Sequence, residues 1–125
     1  DGALIMAEKV RRNIAKPRYD VGEGNSWRLS ASIGVSAIPF VDGRMDVGTW
    51  EQVVAVADQA AYLAKSNGRN AWVSVRGTEH MQEDDFLVIK DHLAALQAEG
   101  KVDLSSSVSE LRLDTEEAVQ RVGAR

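Results

Sequence analysis

The chain has 125 residues, 44% hydrophobic and 27% charged, with a net charge of −4. That is enough for one domain with one core. It is too mixed for a fibrous or disordered chain, and too acidic to bind nucleic-acid polymers through basic surface. The absence of cysteine excludes disulfides, thiolate metal sites and cysteine nucleophiles, and fits a cytoplasmic location.

The N-terminal DGALIMAEKVRR has no basic segment followed by an apolar core, so it does not read as a signal peptide. It opens without Met, and the expected chain therefore begins inside a longer product. No apolar run approaches the length of a membrane span. Ala3, Ala7, Val10 and Ile14 share one helical stripe, and Pro17 ends that helix. YDVGEGNSW, with two glycines between short apolar pieces, predicts a hairpin. From Arg28 to Ala37 the chain alternates: Leu29, Ala31, Ile33, Val35 and Ala37 on one face, Arg28 and the small Ser30, Ser32, Gly34 and Ser36 on the other. This is a strand whose small face is half-exposed or packed tightly under a helix.

FVDGRMDVG is a loop. Thr49 with Gln52 three residues later is a capping box, opening a helix whose expected buried stripe is Trp50, Val53, Val54, Ala57, Ala61 and Ala64. Asp58, Tyr62 and Lys65 share a neighbouring face. Gly68 suits a left-handed helix stop, and NAWVSV is a short strand. Asp1–Thr78 holds 10 Lys/Arg against 8 Asp/Glu, and Glu79–Arg125 holds 5 against 11, so the charge changes from +2 to −6 at that boundary. In the acidic part, Phe86, Ile89, Leu93 and Leu96 predict one amphipathic helix ending at Gly100. KVDLSSSVSEL reads as a loop, and Asp114 as the cap of a last short helix.

Lys65 and Arg69 flank the helix end, four residues apart. The ordinary reading is cations attracted to the helix C-terminus and solvated there. The alternative is a phosphate clamp, in which the two side chains supply all the attraction, because the helix end itself repels an anion. His80 and His92 lack metal-ligand spacing, and Asp84–Asp85 reads as helix-start charge. There is no P-loop, no nucleophile elbow and no dinucleotide fingerprint.

AEKVR, then SIGV at Ser32–Val35, then Ala57-Asp58, Tyr62, Ala64-Lys65 and Gly68-Arg69-Asn70, in this order and spacing, resemble the C-terminal half of a GGDEF domain, over roughly residues 3–76. GGDEF domains are the diguanylate cyclases of bacteria, signalling proteins that condense two GTP into cyclic di-GMP. The resemblance implies that Lys65 and Arg69 contact GTP phosphates, which favours the clamp. Asp58, Tyr62 and Asn70 are motif positions too, though Asp58 and Tyr62 can pair locally and Asn70 can finish the cap. Lys9 stands where some members place a basic residue at an inhibitory cyclic di-GMP site, and also reads as a solvated helix lysine. Ala61 departs from the family, which usually carries a larger apolar residue there.

The name-giving G-G-[DE]-[DE]-F is absent, as are the RxxD inhibitory motif and the metal-binding carboxylates of the family's first half. The expected fold is therefore α/β in the α+β sense. Residues 1–78 are a partial, mostly antiparallel GGDEF-like sheet flanked by helices, and 79–125 an acidic, mostly helical extension. No catalytic or metal-binding residue is assigned in this chain. Mg2+ and GTP or cyclic di-GMP belong to the complete parent, and the chain alone is expected to be inactive. The rival reading is a degenerate module that binds a nucleotide or a protein without turnover. In either case the sheet needs completing, by a second copy, by the lost N-terminal half or by the tail helix near Phe86–Leu96.

Overall fold

The computed structural model describes residues 2–113. In order they form α1 (Gly2–Ala15), β1 (Arg18–Gly22), β2 (Asn25–Arg28), β3 (Ser32–Val35), α2 (Trp50–Ser66), β4 (Ala71–Gly77), a 3-10 turn (Glu83–Leu87), α3 (Leu93–Ala98) and β5 (Val102–Ser106). This is a mixed α+β fold with two sheets. β1 and β2 make an antiparallel hairpin, turning through Gly22, Glu23 and Gly24, all at positive φ. The second sheet has the order β3-β4-β5, with β3 parallel and β5 antiparallel to β4. A parallel neighbour requires a crossover, and α2 provides it.

The small face of β3 lies under a helix. Gly34 pairs with Val73, whose side chain joins the core beside α2. A Cβ on Gly34 would run into the Ala57 carbonyl oxygen and the Ala61 nitrogen. Glycine here admits the helix backbone itself, and Ala57 and Ala61 are small for the same reason. The strand is shorter than the alternation predicts: only Ser32–Val35 pair, and Leu29 is exposed.

The capping box opens α2 as expected, with Gln52 N donating to Thr49 Oγ1 at 3.2 Å and Thr49 N to Gln52 Oε1 at 2.8 Å. The buried stripe differs from the predicted one. Val53, Val56, Ala60, Leu63 and Ala64 are buried, whereas Trp50 and Val54 are exposed. The helix has two partners, the sheet and the acidic segment that follows, and its larger aliphatics turn towards the space between them. Each fully buried Val or Leu contributes about 1.5–3 kcal/mol. On α1, likewise, Ala7 is buried but Val10 is exposed.

Residues after Glu79 share this core. Met81, Phe86, Ile89, Leu93, Leu96 and Val102 form one cluster with α2 and β4. The predicted stripe of Phe86, Ile89, Leu93 and Leu96 is buried as expected, but on a 3-10 turn and a separate α3 rather than one helix. The expected loop at 101–111 is corrected to β5, which pairs Val102–Ser106 with β4. The acidic segment thus supplies a strand to the sheet edge. The short helix predicted from Asp114 lies outside the described residues.

Ala71, Val73 and Val75 turn to α2, so Trp72 between them turns to the opposite face, where α1 packs. Among the described residues no helix is long and apolar enough to cross a membrane.

Candidate functional site: the C-terminal end of α2

The end of α2 is built by local chemistry. Asn67 is the C-cap, and its N–H donates to Leu63 O at 3.0 Å. Gly68 follows at φ +106°, and the Arg69 N–H returns to Ala64 O at 3.0 Å. This is the six-to-one bond of a glycine-terminated helix, and it satisfies a carbonyl that would otherwise be left free. Lys65 projects from the last turn and Arg69 from the residue after the glycine. Both are exposed, and neither side chain has a hydrogen-bond or ion-pair partner among the described residues.

Two further contacts stiffen this end. The Asn67 side chain donates to Leu63 O at 2.9 Å and to Arg112 O at 3.0 Å, and accepts from Arg112 N at 2.8 Å. It behaves as a short piece of strand towards residue 112. Asn70 does more than open β4: its Oδ1 accepts from Arg11 Nη1 of α1 at 3.2 Å.

Arg11 is in turn held by Glu8, in a two-pronged pair with Nε at 2.8 Å and Nη2 at 2.7 Å. Glu8 also accepts from Arg12 Nε at 2.6 Å and from Trp72 Nε1 at 3.0 Å. Hydrogen bonding from Arg11 first, then from Arg12 and Trp72, outweighs partial burial and lowers the Glu8 pKa to about 2. Sequence reasoning misses this α1 network. Glu8, Arg11 and Arg12 at helical spacing are its local signal. Its reach to Asn70 and Trp72 has none.

The other motif positions are placed separately. Asp58 and Tyr62 lie on α2, and no hydrogen bond joins their side chains. Lys9 is exposed on α1, bordering an open groove of about 500 Å³ above Trp72. Among the described residues no three histidine or carboxylate side chains converge to hold a metal ion. What the α2 end can do chemically is bind an anion, with two cations and, among the described residues, no carboxylate hydrogen-bonded to either.

No family model matches the chain, and no solved structure matches it. Curated relatives do. Over 67 residues, 54% of this chain, it is 34% identical to diguanylate cyclase DosC of Escherichia coli, and equally to that of Shigella sonnei. Over 68 residues it is 32% identical to diguanylate cyclase A of Treponema denticola. The matched part spans 13% of the first two proteins and 17% of the third. The chain is thus similar to diguanylate cyclases over about half its own length, a relationship of the GGDEF kind.

Proposed function

We propose that this chain carries the polyphosphate-binding end of a GGDEF-like domain, with Lys65 and Arg69 as the cations that hold the phosphates of GTP. The observation that carries the reading is the pair itself. Two exposed cations without side-chain partners among the described residues stand on either side of a hydrogen-bonded helix cap, in a chain similar to diguanylate cyclases. The parent domain would condense two GTP into cyclic di-GMP, with Mg2+ held by carboxylates of its first half. The chain alone binds without turnover. A degenerate, purely binding module is the second reading, which the same two cations would also serve.

The test is calorimetric titration of the full chain with GTP and with inorganic tripolyphosphate at low ionic strength. Lys65→Ala and Arg69→Ala should each weaken both ligands about tenfold, as loss of one charge-assisted contact does. The loss should shrink as salt rises. Equal affinity in wild type and the double variant would remove the clamp. Production of cyclic di-GMP by this chain would overturn the claim that it binds without turnover.

A further inference from the structure

Three successive residues after α2 are left-handed: Gly68, then Arg69 at φ 64° and Asn70 at φ 48°. Glycine takes this conformation freely, asparagine tolerates it and arginine resists it. Something must therefore hold the turn. The Arg69 N–H to Ala64 O bond holds its first half. For the second half the structure offers one long-range side-chain grip, the Arg11 guanidinium on Asn70, from 59 residues earlier in the chain. That grip is itself rigid, because the other two nitrogens of the Arg11 fork lie on Glu8, which Trp72 and Arg12 also fix.

We infer that Arg11 is a positioning residue, which holds Asn70 so that the left-handed turn presents Arg69 to a bound polyphosphate. The inference rests on the proposed role of Arg69 and extends it. The direction in which Arg69 leaves the helix end is set by α1, which packs on the opposite face of the sheet. A guanidinium is required. One prong set grips Glu8 while the remaining nitrogen reaches Asn70, and a lysine has no fork with which to do both.

The test uses the full chain with inorganic tripolyphosphate as probe and amide exchange as a second readout. Arg11→Ala should weaken tripolyphosphate binding in the wild-type background and have no further effect once Arg69 is alanine. Its effect should persist in a Lys65→Ala background. Arg11→Lys should not restore affinity. Without any anion, the Arg69 amide should exchange faster in Arg11→Ala, while that of Val56 in mid-helix should not. Should Arg11→Ala fail to fold, Asn70→Gly removes the Oδ1 contact and leaves the Glu8 network intact, keeping only the longer 3.5 Å bond from Arg11 Nη1 to the residue-70 carbonyl, and it should give the same two changes in weaker form.

Additive losses in the Arg11/Arg69 double variant, or full rescue by lysine, would reduce Arg11 to a charge and overturn the inference. So would an unchanged Arg69 amide in both Arg11→Ala and Asn70→Gly. A wild-type chain that binds no tripolyphosphate would overturn the proposed function instead, and the exchange readout would still decide whether α1 holds the turn.

Discussion

Gly34 and Ala57 meet backbone to backbone: the Ala57 carbonyl lies where a side chain on residue 34 would begin. Gly34→Ala forces α2 off β3 or strains both, and is expected to destabilise the fold by about 1–3 kcal/mol, the usual range for overpacking. Urea unfolding measures it. Gly2→Ala, at a position with nothing within 4 Å, serves as the control and should leave the midpoint nearly unchanged.

Asn67 joins the end of α2 to residue 112 through both polar atoms of its amide. Asn67→Ala removes two bonds to the Arg112 backbone and one to Leu63, with an expected loss of about 1–2 kcal/mol. Amide exchange at Arg112 should quicken by far more than exchange in β4. An Arg112 amide protected equally in both proteins would show that the clip contributes nothing.

Glu8 makes stability depend on acidity. Its pKa is about 2 in the folded chain against an ordinary 4.5, so between these values the unfolded chain binds more protons. The stabilisation is present above about pH 4.5 and is lost as the pH falls towards 2. Asp46 beside Arg44 is also held below its usual range and adds to the same slope. Burial pushes Asp85 up, but Lys101 and the Gln82 N–H more than offset it, so Asp85 adds to the slope as well. Glu8→Gln should flatten the acid limb of stability against pH without abolishing it. The Trp72 indole N–H resonance should shift in wild type over this range and not in the variant.

Removal of residues 79–125 strips β5 from β4 and Met81, Phe86, Ile89, Leu93 and Leu96 from the core. Leu63, Val56 and Val73 would then face water. The remaining 78 residues should lose cooperative unfolding and associate, which sedimentation and circular dichroism would register. A monodisperse monomer of unchanged helicity would show that the acidic segment is dispensable.

What is legible in the sequence is local. The capping box at Thr49, the glycine stop at Gly68 and the hairpin at Tyr19–Trp27 each rest on residues close together in the chain. Their chemistry does not depend on what lies across the molecule. The phase of α2 is not legible, because a helix between a sheet and a second apolar segment buries whatever both require. β5 is hidden for a similar reason. Val102 and Leu104 alternate with Asp103 and Ser105, but a run of serines has weak strand preference until an open sheet edge pairs with it. Of the candidate site, Lys65 and Arg69 can be found from their spacing and the family resemblance. Arg11 cannot, since its contact with Asn70 spans most of the segment that builds the sheet.

Every residue of the β1–β2 hairpin is exposed, while α1 before it is tied to the sheet by Ala7, Glu8 and Arg11. The chain can therefore be divided at either end of that hairpin without touching the core. A protease that cuts after Arg18 or Arg28 releases a helix that has no covalent hold but keeps its docking site. The two pieces are then a natural pair for complementation. The α1 peptide, added back, returns the Arg11 grip to a turn that has lost it.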